Sequence, residues 1–394
     1  MRCLWITRQD PRPADSGELI YSRGLLHSLA GQGGVELHVL THRAAKDAPD
    51  SGDGIHWHLT GPPPRKRLLG ILSHLPGDAD RLGNPKMRGA LRDILAAGSW
   101  DWIVIDQAAC AWALDEISVE NPAHIAYIAH NHEASLRPEV ASYRGGSLPL
   151  RIALRKDAAK YARLENTLVA RARLVTAITP RDAAQFQSAF PQCRISVLPP
   201  GYDAALIPAS DPPTIGAATP RRVVLAGTFQ WIAKRRNLED FLNAAAAPFQ
   251  AAGIEFVVVG KAHPPYFQRL SQLHPWARFH ANVPSMEPFL ENTRIGLIPE
   301  ALGGGFKLKA LDYIFRGLPL ASIDAALSGL PLVPGTDTIS AADPATLAAA
   351  VAKHIDSPDI LNAAARSALA KCRDTFHWSD RGASLASALH DAST

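Results

Sequence analysis

The 394-residue sequence is poor in the features that mark several broad classes of protein. Its four cysteines, Cys3, Cys110, Cys193 and Cys372, are scattered, with no CxxC pair and no metal-ligand spacing. That excludes a disulfide framework and a thiolate metal centre, and it is the cysteine usage of a reducing cytosol. Free buried thiols account for all four, and no metal is expected. No apolar run approaches the roughly 20 residues a membrane-spanning helix requires. The N-terminus runs straight into a strand pattern, without the charged and apolar regions of a leader peptide. Neither sign of charge dominates: the formal net charge is +4. With so small an excess and no nucleic-acid-binding motif, a nucleic-acid partner is not expected. There is no low-complexity tract and no internal repeat.

What the chain does have is core-forming material, with 47% hydrophobic and 20% charged residues, enough for two domains. Short apolar runs recur at Cys3–Ile6, Val35–Leu40, Trp102–Ile105, Ile125–Ala129, Leu174–Ile178, Val223–Ala226, Phe256–Val259 and Ile295–Ile298, each followed by a helical pattern. This alternation predicts an α/β fold built from βαβ units, with parallel sheets buried on both faces. It is interrupted by the proline- and alanine-rich Leu206–Arg222. The spacing thus predicts a doubly wound domain over 1–205, a linker over 206–222 and a second doubly wound domain over 223–374. Two such halves place ligands at the C-terminal ends of their strands.

The most informative stretch is PEALGGGFKLKALDYIFRGLPLA, Pro299–Ala321. A strand pattern enters three glycines, Gly303, Gly304 and Gly305. A helical pattern with Lys307, Lys309 and Asp312 follows, ended by Gly317-Leu-Pro. Glycines ahead of a helix N-terminus let backbone N–H groups approach an anion. Lysines there add charge for phosphate, and a carboxylate one turn on can accept two sugar hydroxyls. The alternative is an ordinary strand-to-helix connection with surface lysines.

This segment resembles the donor-site signature of family-4-type retaining glycosyltransferases, enzymes of the GT-B fold in which two Rossmann-like domains face each other across a cleft. The family's "KxLEAMAxGxPVV" is read here as Lys309-Ala-Leu-Asp312-Tyr-Ile-Phe-Arg-Gly317-Leu-Pro319. The second acid of its EX7E pair is Asp312, and the first falls on Gly304, so that carboxylate is missing. The resemblance runs along nearly the whole chain. AYIAHNHEAS, Ala126–Ser135, is similar to the "HNxES" element. It implies that His130 lines the donor site as a catalytic residue, with Asn131, His132 and Glu133 on the acceptor side. A helix-capping role for Asn131 or His132 is the competing account. Ile195–Asp203 is similar to "IxVxPNGVD", with Pro200 in place of Asn. His377-Trp378-Ser379 resembles the start of a last helix that returns to the first domain, over about 375–394.

For the donor, the resemblance implies catalytic roles for Lys309 and Asp312 beside His130. It also implies contacts from Gly227, Thr228, Gly260, Lys261, Asn282, Val283 and the run Gly303, Gly304, Gly305, Phe306, Lys307 and Leu308. Gly17 is either a phosphate-side glycine or a turn glycine. Lys234, Arg235 and Arg236 are candidates to stabilise charge on a departing diphosphate, and spacing does not choose among them.

The implied function is transfer of a sugar from a UDP- or GDP-linked donor, with retention and without a further cofactor. The acceptor would be a glycan or lipid-linked molecule in polysaccharide or glycolipid synthesis. A GT-B-fold 2-epimerase and a non-catalytic sugar-nucleotide-binding protein are the alternatives. Basic residues at Arg65-Lys66-Arg67 and from Arg151 to Arg163, near apolar neighbours, predict either a solvated face or peripheral contact with anionic lipid. The expected location is cytoplasmic, and at the inner face of the membrane where such lipid contact is made.

Overall fold

The computed structural model describes all residues except 15, 44–51, 64–72, 144–146, 204–213 and 394. The chain forms two compact units, Met1–Gly201 with Trp378–Thr394, and Tyr202–His377.

The first unit holds strands β1 (Arg2–Ile6), β2 (Glu36–His42), β3 (Ile55–Thr60), β4 (Trp102–Asp106), β5 (His124–Ala129), β6 (Leu174–Ala177) and β7 (Arg194–Val197). They form one sheet in the order β3-β2-β1-β4-β5-β6-β7, every pair parallel. The second unit holds β8 (Arg222–Thr228), β9 (Glu255–Lys261), β10 (Ala277–Ala281), β11 (Ile295–Ile298), β12 (Leu320–Ile323) and β13 (Ile339–Ala341). Their order is β10-β9-β8-β11-β12-β13, again all parallel.

Central strands such as WIVID of β4 and IGLI of β11 are buried at every position, as parallel strands covered on both faces must be. In both sheets the chain reverses its direction of winding between the first and fourth strands, β1 and β4 or β8 and β11. Ligands of doubly wound sheets bind outside the strand ends at such a reversal.

Two details of sequence fix elements near those reversals. Gly296 in β11 has no room for a side chain, because a Cβ there would sit 2.6 Å from the Tyr313 ring. Tyr313 belongs to the helix Leu308–Phe315, and its hydroxyl accepts from the Ala226 N–H at 2.8 Å, fastening that helix to β8. The helix stops where Gly317 takes φ +70, a left-handed ending that glycine adopts without steric cost.

The helix Trp378–Ser393 packs on the helix Gly17–Ala30 of the first unit. Gly382 approaches so closely that a Cβ would meet the Ser28 carbonyl oxygen at 2.1 Å. The Trp378 indole occupies the space left by Gly24 and Gly201. Residues 206–213 of the expected linker lie outside the described residues, whereas Ile215 is tied to Asn362 of the second unit by two hydrogen bonds of 2.9 Å. Arg65, Lys66 and Arg67 also lie outside the described residues. Cys3, Cys110 and Cys372 are buried, Cys193 is half-buried, and all four are free thiols. Among the described residues no helix is long and apolar enough to cross a membrane.

Candidate functional site

The polar centre of the second unit lies at the end of β11, beside the winding reversal. Glu300, two residues past the strand, is only 3% exposed, a costly place for a carboxylate without partners. Three lysines converge on it. Lys234, in the first turn of the helix Ile232–Ala251, and Lys309, in the helix Leu308–Phe315, form close ion pairs with its two oxygens. The Lys307 ammonium is 3.5 Å away.

Burial alone would raise the Glu300 pKa, but the charges of Lys234, Lys309 and Lys307 overcome it and hold the carboxyl well below its ordinary range. Burial in turn pulls Lys307 and Lys309 down to about 8, against the opposing pull of Glu300. Three ammonium groups facing one carboxylate leave two positive charges in excess when all are ionised. Such a buried surplus favours an anion carrying two or more charges.

The loop before these lysines is held rather than loose. Asn237 exchanges two hydrogen bonds with the Leu302 backbone, at 2.8 and 2.9 Å. Lys307, which caps the helix rather than lying within it, donates to the carbonyls of Gly303 and Gly304 at 3.0 and 2.8 Å. Gly303 has φ +101 and lies against the Trp231 ring. Gly227 adjoins the Lys309 ammonium, and Lys309 donates to the Ala226 carbonyl at 3.4 Å. Thr228 and Lys261 end the neighbouring strands β8 and β9. Gly260 is required sterically: at φ +144 its Cβ would meet the Gly227 carbonyl oxygen at 1.8 Å.

Other expected residues are not drawn into this centre. Arg235 donates to the Phe229 carbonyl at 2.8 Å, and Arg236 pairs with Asp240 at 2.9 Å one turn along an exposed helix face. Of the three candidate cations, only Lys234 reaches Glu300. Asn282 spends its side chain on the Ala262 backbone, donating at 2.9 Å and accepting at 3.3 Å. Val283 and Phe306 pack against the apolar cluster beneath the helix Leu308–Phe315, as does Leu308. Asp312 accepts from the Tyr202 hydroxyl at 2.9 Å and from Arg316 at 3.1 Å, both on Oδ1.

The first unit has its own polar centre at the β1–β4 reversal. His130 follows β5 and is 9% exposed. Its Nε2 lies 2.7 Å from Asp106 Oδ1 at the end of β4, while Asp106 Oδ2 accepts from the Trp5 indole at 3.1 Å. Burial would raise the Asp106 pKa, but the His130 imidazole reverses this and keeps the carboxyl below its usual value. The Tyr21 ring stands edge-on to His130 with centroids 5.0 Å apart. The imidazole is therefore held in one orientation by groups on two strands and a helix.

The capping alternative for Asn131 and His132 is met by neither. The first N–H groups of the helix Glu133–Tyr143 donate instead to the buried Glu165, from Glu133 at 3.1 Å and from Ala134 at 2.7 Å. His132 is bonded to Ser135, Asn131 donates to Glu133 at 3.5 Å, and Glu133 pairs with Arg137. Gly17 is an exposed first residue of the helix Gly17–Ala30.

Residues 220–357 match the family model Glycosyl transferases group 1, a range containing the whole lysine centre. Solved structures resemble the chain over nearly its full length. One is the sucrose-phosphate synthase of Thermosynechococcus elongatus, at a TM-score of 0.74 and 16% identity, covering 99% of this chain and 98% of that one. The fold is GT-B.

The Anabaena protein HepE in complex with UDP-glucose aligns at a TM-score of 0.67 and 14% identity, over 99% of this chain and 100% of its own. A trehalose-6-phosphate protein of E. coli bound with UDP-2-fluoro glucose gives 0.65 and 13%, over 99% of both chains. No curated protein matches the chain in sequence. Against the GT-B signature the centre has one unexpected member. The carboxylate missing at Gly304 has a neighbour in Glu300, four residues earlier, which the sequence reading passed over. Its signal was a lone acid at the end of a fully apolar strand. Asp106 ends β4 in the same way.

Proposed function

We propose that the protein is a glycosyltransferase that takes a sugar from a nucleoside-diphosphate donor. The observation that carries this reading is the cluster of Lys234, Lys307 and Lys309 around one buried Glu300, with its excess of positive charge at the β8–β11 reversal. A diphosphate supplies the missing negative charge, and its leaving oxygen needs cationic stabilisation as the glycosidic bond breaks. Glu300 keeps the ammonium groups aimed at one point before the donor arrives, so little reorganisation is needed on binding. Asp312, with Oδ2 unbonded among the described residues, is the proposed acceptor for ribose hydroxyls, and backbone groups about Asn282 and Val283 are proposed to read the base. His130 is proposed to hydrogen-bond a donor-sugar hydroxyl.

The finer reading is transfer with retention, the departing phosphate taking the acceptor's proton, onto a glycan or lipid-linked acceptor. Support for a lipid surface comes from the helix Leu148–Arg171. Leu148, Leu150 and Ile152 are exposed at its start, interleaved with exposed Arg151, Arg155 and Lys156.

The test is turnover of UDP- and GDP-sugars with a glycan acceptor panel, following nucleoside diphosphate release. Lys309→Ala should weaken UDP or GDP binding by about one to two orders of magnitude, the worth of a charge-assisted contact. Unchanged affinity in Lys234→Ala and Lys309→Ala would remove the diphosphate from this site. Tight binding without release would favour a non-catalytic binder, and isomerised nucleotide sugar would favour an epimerase.

A further inference from the structure

The outer edge of the first sheet carries a cluster that sugar transfer does not use. β2 and β3 pair in parallel with His38 opposite His56. The two-residue period of a strand sets Glu36 and His38 on one face of β2, and His56 and His58 on the same face of β3. His38 Nε2 lies 2.9 Å from Glu36 Oε1, and His38 Nδ1 lies 3.0 Å from His58 Nε2. One ligand atom from each of Glu36, His38 and His56 falls within 4.8 Å of the others. The Trp100 ring closes the inner side, edge-on to His38 with centroids 4.9 Å apart.

We propose that Glu36, His38 and His56 bind a divalent transition-metal ion, for which Zn2+ has the best-matched chemistry. Two imidazoles and one carboxylate, with water as a fourth ligand, form a standard tetrahedral donor set. Bonds of about 2.0–2.1 Å place tetrahedral ligand atoms about 3.3 Å apart. The Glu36–His38 pair already stands near that spacing, and His56 is exposed, so its side chain can swing to complete it.

His58 plays the orienting part. A hydrogen bond from His38 Nδ1–H to His58 Nε2 leaves the His38 Nε2 lone pair for the ion, the usual arrangement behind a metal-bound histidine. One group competes: Arg2 donates to the same Glu36 oxygen at 3.0 Å and must give it up. The ion would brace β3, the outermost strand, against β2.

The experiment uses the full chain without an affinity tag, stripped with EDTA, dialysed and titrated calorimetrically with ZnCl2, with MgCl2 as control. One site of micromolar affinity is expected. Its loss should be at least about tenfold in His56→Ala and Glu36→Gln, with about 10–100-fold weakening in His58→Ala. Arg2→Ala should bind Zn2+ up to about fivefold more tightly, since an exposed ion pair no longer competes. His56 and Glu36 are exposed, so these variants keep the fold, and an unchanged melting curve without metal checks it. The proposal is overturned by no saturable Zn2+ binding below about 100 µM. It is also overturned if His56→Ala and His38→Ala bind as the parent does, which would place the ion on other histidines.

Discussion

At the scale of single residues, the lysine centre makes its own pH prediction. Lys307 and Lys309, lowered by burial to about 8, are cations below that pH and lose their protons above it. Nucleoside diphosphate affinity should therefore fall as pH rises through about 8 to 9, where the diphosphate is already fully ionised, because deprotonation of the lysines removes the attraction. Titration calorimetry across that range checks the sign; affinity that rises with pH would contradict it. Asp106 supports a second prediction. Asp106→Asn should slow transfer by about 10- to 100-fold while leaving UDP affinity within about twofold, because it disturbs the aim of His130 rather than a diphosphate contact. Equal losses in both would assign Asp106 a merely structural part. That Lys307 and Lys309 share one polar centre beside the glycine loop was legible from the sequence, because they sit close together on a strand–loop–helix unit. Asp106 was not, since its partner His130 lies 24 positions away, and Glu300 was not, because its burial and its pairing with Lys234, 66 positions away, arise only in the folded sheet.

At the scale of elements, most central strands announced themselves as continuous apolar runs, although the buried β12, LASI, did not. β3, with the sequence IHWHLT, did not, because an outermost strand with half-exposed positions carries polar residues at alternate sites. The same alternation gathers the histidines on one face, which no linear spacing of metal ligands reveals. In the helix Leu148–Arg171 burial begins at Ala158 among the described residues. Its Glu165 lies under the helix Glu133–Tyr143 with a pKa raised to about 7 by burial, then by the charge of Glu133. A raised folded pKa means stability that is full below the ordinary value near 4.5 and is lost as pH rises through 7. Glu165→Gln should accordingly cost less at pH 8 than at pH 5, by about 1–3 kcal/mol at most. Urea unfolding of the two forms at both pH values measures it, and an equal cost at both would show that Glu165 stays ionised throughout. Gly382→Ala drives a methyl into the Ser28 carbonyl, where backbone must yield, and should destabilise by about 1–3 kcal/mol.

At the scale of the whole molecule, two units with separate cores need not unfold in one step. The lysine centre belongs wholly to the second unit. UDP at 100 times its dissociation constant should stabilise that unit by about 2.7 kcal/mol. In calorimetric melting this would shift the transition that contains the second unit. A shift confined to a transition of the first unit would relocate the nucleotide.

The first unit is closed by residues 378–393, which follow the whole of the second unit along the chain. On a ribosome adding about 5–20 residues per second, some 10–40 seconds separate the appearance of Gly201 from that of the closing helix. During that interval the helix Gly17–Ala30 waits with the groove for Trp378, Leu385 and Leu389 uncovered. The second unit, by contrast, can complete its sheet as soon as it emerges. The first unit is thus the last to be completed, although most of it is synthesised first. Nascent chains stalled before residue 378 should bind chaperones through the first unit, and a supplied 378–393 peptide should release them.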